Sequence, residues 1–396
     1  MLTYKGYPRV RGPAGIRNTI LVISGDLCCN PWSIEIASAF DHCCAILHKH
    51  GVGNYSPDRN LFKHIMSGIT VNPNVYGFVF VSSGNEDHSP GEILYRAESA
   101  GKPFHIVSAA QENCGADVVR KGIAYVERLL ADAANTDRVD VGIDDLRIGL
   151  NCAGTDTVSA KTVHPVCAAL SDKIVALGGT IFISETPDLI GLGDIVFDRC
   201  GHVEDRERLI GFYNARRKLL TQTGEIIDDI EMVAFNTEGG LKTLRQKAEV
   251  SILKAGTTPI REVLDYGDTP SQNGLVFMDG PAMTDFVMTG YMASGVHIMI
   301  NTCGAGEGNK MPFTVGADTP SAILPIIKMT GGTDHYKEPS NRIDFDATTV
   351  LSGGESIDMA AERLLAMILD TASGKPTMTE VPRDYMLNIP MRFHQA

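Results

Sequence analysis

The chain has 396 residues and a net charge of −13, and 43% of its residues are hydrophobic. The acidic balance argues against a nucleic-acid partner, because phosphate binding needs a basic surface. No run of about 18 apolar residues occurs, so the sequence predicts no membrane span, and residues 1–11 lack the apolar stretch of a signal peptide. Nine cysteines without a C-x-x-C spacing predict a reduced, cytoplasmic protein.

Strand-like and helix-like segments alternate in the first third of the chain. Continuous apolar runs are typical of strands covered on both faces. Their alternation with helices indicates a parallel sheet with right-handed crossovers. The predicted strands are 19–23, 77–81 and 104–107, and the predicted helices are 31–40, 91–100 and 116–131. We expect residues 1–134 to form an N-terminal α/β domain.

A second α/β pattern follows a polar, acidic segment without apolar periodicity. That segment, residues 135–146, is predicted to be a linker, and residues 147–396 a C-terminal α/β domain that carries most of the site. Its predicted strands are 147–150, 180–183, 274–278 and 297–300, and its closing helix is 356–372. The expected fold class is therefore α/β, with two domains, mostly parallel sheets and Rossmann-like layering.

Polar clusters follow four of the predicted strands in the second domain. Ligands bind just past the carboxyl ends of strands in open α/β sheets. The same residue types also build ordinary turns and helix caps, so any one cluster alone is ambiguous. Four together exceed what turn chemistry needs and predict a site. The clusters are 151–159, 184–188, 279–281 and 301–306.

Several familiar catalytic motifs are missing. No G-x-G-x-x-G follows the first strand, residues 304–310 have the wrong spacing for a phosphate loop, and no G-x-S-x-G occurs.

Individual side chains leave alternatives open. Cys152 could be a nucleophile, a soft metal ligand or a small buried residue, and His164 a ligand, a base or a helix-start residue. Residues 86–88 could bind a cation or form an exposed loop, and Cys28 and Cys29 could face a ligand or be buried thiols.

At these clusters the sequence resembles the altronate dehydratase, galactarate dehydratase and sulfolactate sulfo-lyase family. The similar segments run in order along nearly the whole chain, which indicates a shared fold. They are 6–9 (GYPR), 15–18 (GIRN), 72–77 (NPNVYG), 152–156 (CAGTD) with Ser159, 178–180 (GGT), 184–188 (SETPD), 254–259 (KAGTTP), 277–281 (FMDGP) and 302–306 (TCGAG).

The resemblance implies a lyase. A base would remove the proton α to a carboxylate, and a group would leave the β carbon to give a 2-keto acid. The expected reaction is dehydration of a sugar acid or a related small, anionic hydroxy-acid. Two alternatives stay open: a lyase that expels sulfite or another leaving group, and a non-catalytic homologue that binds a small acid.

The resemblance also implies site residues, a cofactor and partners. A divalent metal (iron, manganese or calcium) would stabilise the developing oxyanion. A small β-rich partner subunit and a homo-oligomer are expected as well. The catalytic candidates are Asp156, Glu185, Thr186 and Ser159, and the metal-binding candidates are Cys152, Glu185 and Asp156. The substrate-binding candidates are Asn151, Gly154, Thr155, Asp279, Thr302, Gly304, Gly239 and Gly240.

The chain departs from the family pattern at a few positions. Residues 236–247 lack the family's Gly-Asn pair, and Gln246 stands in the place of an acid. Ala160 replaces a glycine, and Ala305 replaces an arginine. The loss of charged groups near an anionic substrate suggests a changed substrate.

Overall fold

The fold is that of a computed structural model, which describes residues 2–51, 53–87, 90–222, 224, 232–304, 321, 323–333, 337, 342–380 and 385–390. Its strands are β1 Thr3–Gly6, β2 Thr19–Ser24, β3 Cys43–Leu47, β4 Val75–Ser82, β5 Phe104–Ser108, β6 Val139–Gly142, β7 Arg147–Gly154, β8 Thr180–Ile183, β9 Ile260–Leu264, β10 Leu275–Met278, β11 Ile298–Cys303, β12 Ile326–Thr330, β13 Phe345–Asp346 and β14 Tyr385–Met386. Its α-helices are α1 Asn30–Ala37, α2 Ser56–Thr70, α3 Pro90–Ser99, α4 Gly115–Ala134, α5 Val163–Ala176, α6 Gly193–Phe197, α7 Val203–Gln222, α8 Ala234–Glu238, α9 Leu244–Leu253, α10 Thr284–Ala293, α11 Thr348–Leu351 and α12 Ile357–Ala372.

Two parallel sheets organise the described residues. The N-terminal sheet has the strand order β14-β3-β2-β4-β5, and the C-terminal sheet has the order β13-β12-β11-β7-β8-β10-β9. Every pair of neighbouring strands in both sheets is parallel. The expected α/β class with parallel sheets is confirmed.

Helices cover both faces of each sheet. A hydrophobic core joins the two sheets through α2, α3 and α10, and Phe78, Phe182 and Tyr291 are fully buried in it. A second core packs α1 and α4 on the outer face of the N-terminal sheet. A third packs α5 and α12 on the outer face of the C-terminal sheet. Strands covered on both sides need apolar residues at every position, which explains the continuous apolar runs in the sequence.

The segment predicted to be a linker contains a strand. β6 pairs antiparallel with β1, so that Thr3 lies opposite Gly142. The pair is only partly buried, and Val139 and Asp140 are exposed. No residue of β6 is fully buried, so this strand needs no apolar periodicity and its sequence looks like a polar connection. The chain also crosses between the two halves near its end, because β14 pairs with β3 in the N-terminal sheet.

Two buried asparagines tie the two halves together. Asn72 donates its side-chain amide to the carbonyls of Met292 and Val296. Asn74 donates to the carbonyls of His297 and Ile323 and accepts from the amide of Ile16. Both side chains are fully buried. The family-like segment 72–77 therefore satisfies backbone groups at the junction of the two sheets.

No described helix is both long and apolar enough to cross a bilayer.

Replacement of Asn74 tests this junction. Asn74→Ala leaves one buried amide and two buried carbonyls without partners, so we expect the free energy of unfolding to fall by about 2–4 kcal/mol. Urea titration followed by circular dichroism measures the change. Asn135→Ala removes a single exposed bond to Ala131 and is expected to change stability by less than about 0.5 kcal/mol. Equal effects of the two variants would contradict a role of Asn74 at the junction.

Candidate active site

The four polar strand ends meet at one edge of the C-terminal sheet. Strands β11, β7, β8 and β10 are consecutive neighbours in that sheet. Because they are parallel, their carboxyl ends lie side by side, as the sequence pattern predicted. The side chains that follow them form several connected groups.

The first group centres on His164, at the start of α5. Its Nδ1 lies 2.7 Å from the carbonyl oxygen of Val250, which can only accept, so Nδ1 carries the proton. The lone pair of Nε2 in the neutral ring then accepts from the Cys152 thiol at 3.3 Å. The Thr302 hydroxyl also lies 3.3 Å from Nε2, but it donates to the carbonyl of Asn151. Burial and the positive charge of Lys254 lower the pKa of His164 to about 3. His164 is therefore neutral at physiological pH and accepts at Nε2.

The second group is built around Glu185. Its backbone has a φ of 76°, in the left-handed region that few non-glycine residues adopt. Its side chain is buried, and Oε2 has no hydrogen-bond partner within the described part of the chain. The ammonium group of the buried Lys254 lies 3.8 Å from Oε2. Backbone strain and an unpartnered buried carboxylate oxygen are typical of functional positions.

Burial raises the pKa of Glu185 to about 8. The negative charge of Asp188 adds to this rise, whereas the positive charges of Lys254 and Lys247 oppose it. Desolvation thus outweighs two nearby cations. The carboxyl group therefore exchanges its proton near neutral pH.

Asp188 behaves differently although it is also buried. Burial alone would raise the pKa of Asp188, but Lys247 at 2.6 Å, the charge of Lys254 and the Ser251 hydroxyl at 3.0 Å lower it below its ordinary value. Asp188 is thus a permanent carboxylate. The pKa of Glu185 is thus raised and that of Asp188 lowered within one site. Pairs of carboxyl groups with such different pKa values are typical of acid–base sites.

Ser251 connects the two groups. Its hydroxyl donates to Asp188 and lies 3.4 Å from the Thr155 hydroxyl. Thr155 lies 3.1 Å from the sulfur of Cys152, which contacts His164. A chain of polar contacts therefore runs from β8 to β7, so the site residues at these two strand ends form one site.

The third group follows β10. The hydroxyl of Thr186 donates to Asp279, whose other oxygen lies 3.5 Å from the guanidinium of Arg216. Arg216 comes from α7 and is only partly buried. The structure thus brings Thr186 and Asp279 together as neighbours of Glu185 and adds a cation to them.

Asp156 and Ser159 form a tight turn after β7. The Asp156 carboxylate accepts from the amide of Ser159 at 2.7 Å and from its hydroxyl at 2.9 Å. The neighbouring glycines make room for this turn. A Cβ on Gly304 would lie 1.7 Å from Asp156 Oδ1, and one on Gly239 would lie 2.4 Å from the Asp156 Cβ. The close approach of backbone explains these glycines.

The local structure explains the residue type at three further candidate positions. A Cβ on Gly154 would lie 2.5 Å from the ring of Phe235. Gly240 has a φ of 91°. Asn151 is buried and donates to Asn301 and Thr284, on the opposite face of β7 from Cys152. A role for these residues in binding substrate stays a prediction, and Ala305 lies outside the described residues.

The predicted metal ligands do not form a compact cluster. Among the described residues, the one group of three His, Cys, Asp or Glu side chains with ligand atoms within 4.8 Å of one another is Asp26, Cys29 and Glu86. It lies at the carboxyl ends of β2 and β4, where the sequence left a ligand role open for Cys29 and Glu86. His88 lies outside the described residues. Cys152, Asp156 and Glu185 do not form such a group.

Four charged residues of the site were absent from the sequence-based candidates. They are Asp188, Lys247, Lys254 and Arg216. Asp188 and Lys254 stand inside the family-like segments SETPD and KAGTTP, and this position was a usable signal. Lys254 also follows Ile252 and Leu253, and a lysine in an apolar run is a candidate for burial. Lys247, Lys254 and Arg216 supply cations near the site, so the departures from the family pattern do not leave it without positive charge.

Two family models and several known proteins match the chain. Residues 143–392 match the family described as D-galactarate/altronate dehydratase, C-terminal, and residues 6–134 match D-galactarate dehydratase/altronate hydrolase, second domain. The chain is 24% identical to altronate dehydratase of Bacillus subtilis, over 94% of this chain and 74% of that protein. It is 28% identical to (2R)-sulfolactate sulfo-lyase subunit beta of Chromohalobacter salexigens, over 96% and 94% respectively. It is 26% identical to galactarate dehydratase (L-threo-forming) of Escherichia coli, over 94% and 73%.

The family match covers more than half of the chain and includes all four polar strand ends. The chain belongs to the D-galactarate/altronate dehydratase family and is a lyase.

Proposed function

We propose that the chain is a hydro-lyase that converts a sugar acid, or a related small hydroxy-acid, into a 2-keto acid. The observation that carries this proposal is Glu185, a strained, buried carboxyl group with a pKa near 8 that faces Lys254. A general base works best when its pKa lies near the working pH. The names of the dehydratase relatives support the same class of substrate.

In the proposed reaction, the Glu185 carboxylate takes the proton α to the substrate carboxylate. The electron pair of the broken C–H bond forms a C=C bond, the C–O bond at the β carbon breaks, and the hydroxyl group leaves as water with the proton that Glu185 has accepted. The resulting enol becomes the 2-keto acid. Lys254, 3.8 Å from Glu185 Oε2, would stabilise the negative charge that develops on the substrate carboxylate.

The remaining polar groups have supporting roles in this proposal. Asp188 and Lys247 hold each other in ionised form, and Asp188 keeps the pKa of Glu185 high. Arg216 offers a partly exposed cation to an anionic substrate. Cys152 and His164 form a neutral pair that could hold or pass a proton at Nε2.

A divalent metal is implied by the family. Asp26, Cys29 and Glu86 would hold such an ion with two carboxylates and one sulfur, a mixed set that suits iron better than manganese or calcium. Burial raises the pKa of the Cys29 thiol to about 12, so an ion there would have to displace its proton. These residues follow strands of the N-terminal sheet, whereas Glu185 follows β8 of the C-terminal sheet, and a metal held by them would supply Lewis acidity. Asp156 is a less suitable metal ligand, because one of its carboxylate oxygens already accepts two hydrogen bonds from Ser159.

A second candidate function is the expulsion of sulfite instead of water. The sulfo-lyase subunit of Chromohalobacter salexigens is 28% identical to this chain and is aligned over 94% of its own length. Abstraction of the α proton is common to both reactions, and only the leaving group differs. Because that relative is one subunit of an enzyme, we also propose that a small partner polypeptide joins this chain.

The two functions are separated by product analysis. We expect the chain, assayed with D- and L-sugar acids and Fe²⁺, Mn²⁺, Mg²⁺ or Ca²⁺, to form a 2-keto acid that semicarbazide detects. Sulfolactate should release no sulfite that a thiol reagent detects. Sulfite release without turnover of any sugar acid would favour the second candidate.

Glu185 is tested by removal of its charge at constant shape. We expect Glu185→Gln to lower kcat by at least about 100-fold, the usual contribution of general acid–base catalysis. In the unchanged chain, kcat/KM should rise with pH through about 8 and then level off, because only the ionised carboxylate accepts the proton. Glu127→Gln, on the exposed surface of α4, should leave both measurements unchanged. Full activity of Glu185→Gln would show that the base lies elsewhere.

Asp188 provides an independent test of the same assignment. Its negative charge raises the pKa of Glu185, so Asp188→Asn should move the acid limb of the pH profile to lower pH. Asp198→Asn, at an exposed carboxylate, is the matched control and should not move it. A shift to higher pH after Asp188→Asn, with the melting temperature retained, would contradict the proposed coupling.

A further inference from the structure

A cavity of about 360 Å³ lies between the two halves of the molecule, away from the candidate active site. Its walls come from the loop between β1 and β2, the ends of α2 and α3, the start of β7 and the end of α10. Arg147 stands at the amino end of β7, and Cys152 stands near its carboxyl end. Five residues of extended strand separate them by roughly 15–20 Å, so the cavity and the candidate active site are distinct.

The charge of this cavity is unusual for a protein with a net charge of −13. Five basic residues line it, and its lining contains no aspartate or glutamate. They are Arg9, Arg11, Arg96, Lys102 and Arg147. Such a concentration of one sign of charge focuses the local field on an anion.

Several of these cations have unused donors. Within the described residues, no hydrogen bond or ion pair involves the guanidinium of Arg147 or Arg11, and Arg96 donates only to the Thr269 hydroxyl at 3.0 Å. Arg9 and Lys102 donate to backbone carbonyls rather than to carboxylates. The cavity therefore contains several N–H donors, and no carboxylate in its lining pairs with them.

Burial of these basic groups disfavours their charged forms, and a bound anion would offset this unfavourable free energy. Burial lowers the pKa of Lys102 well below its ordinary value, lowers that of Arg9 to about 10 and also lowers the pKa values of Arg96 and Arg147. The charge of the cavity therefore rests on its four arginines. The nearest compensating charges lie outside the lining. Asp145 and Glu262 act on Arg147, and Asp268, which acts on Arg96, already pairs with His64 and Arg208.

We propose that this cavity binds a small molecule that carries a phosphoryl group. The cations come from a loop, a helix and a strand, so they can surround an anion from several sides. A tetrahedral phosphoryl group offers three or four oxygens to them, whereas a carboxylate offers two. Arginine forks match such oxygens well. The volume exceeds that of a phosphate ion, and Val71, Pro73 and Ala293 supply apolar walls for the rest of the ligand.

The ligand would bridge the two halves of the chain. Arg96 and Val71 belong to the N-terminal half, and Arg147 and Gly295 to the C-terminal half. Gly295 has a φ of 79°, and a Cβ there would lie 3.0 Å from the Arg147 guanidinium. The glycine thus leaves room for that guanidinium at the cavity wall.

Calorimetric titration of the full chain with inorganic phosphate tests the proposal, with sodium chloride and succinate at matched ionic strength as comparisons. We expect saturable binding of phosphate, weaker binding of succinate and none of chloride. Arg96→Gln and Arg147→Gln should each weaken phosphate binding by about 10- to 100-fold, because each removes charged hydrogen bonds. Arg216→Gln, which removes a cation from the candidate active site, is the matched control and should bind phosphate as the unchanged chain does.

Three results would overturn the proposal. They are phosphate binding that Arg96→Gln leaves unchanged, phosphate binding that only Arg216→Gln removes, and tighter binding of succinate than of phosphate. If Arg147→Gln does not fold, Arg11→Gln replaces it, because Arg11 is exposed on a loop. Lyase activity is assayed separately, so a failure here leaves the proposed function untouched.

Discussion

Four ionisable groups, all buried or partly buried beside β8, constrain the rest of the site. Ionised side chains lose several kcal/mol of hydration when they leave water, and only close pairing offsets the loss. Asp188 and Lys247 achieve such pairing at 2.6 Å, with Ser251 as a further donor. Glu185 and Lys254 are 3.8 Å apart, so the pairing is incomplete. The surplus cost of desolvation falls on Glu185 and gives this carboxyl group its reactivity.

The backbone holds Glu185 in that position. β8 ends at Ile183, and the chain then turns through the left-handed conformation of Glu185 into Thr186 and Pro187. The turn is fixed on its other side, because the amide of Thr186 donates to the carbonyl of Gly280 after β10. A glutamate here costs conformational energy that glycine would avoid. The left-handed conformation persists because β8 is held between two parallel strands and both faces of the sheet are packed, which fixes the start of the turn.

The sequence was informative where burial is continuous and where strands end. Runs such as 19–23 and 180–183 predicted strands because both sheet faces are covered. β3 and β12 were missed although both are buried at every position, so continuous burial did not reveal every such strand, and β9 was missed as well. β6 escaped prediction because none of its residues is fully buried, and β1 and β14 because they have only four and two residues. The strand-end rule found Glu185, Cys152 and Thr302. It could not find Lys247, because a helix residue reaches the site only through the packing of α9 against the turn after β8.

This acidic protein has local groups of positive charge near both ends of β7. A net charge of −13 would repel an anionic substrate if it acted as a single charge, but salt screens such interactions beyond about 8–10 Å. Local cations then decide what binds. β7 connects two such places, since Arg147 begins the strand and Cys152 lies near its end. The same strand therefore carries a residue of the basic cavity at its amino end and residues of the candidate active site near its carboxyl end.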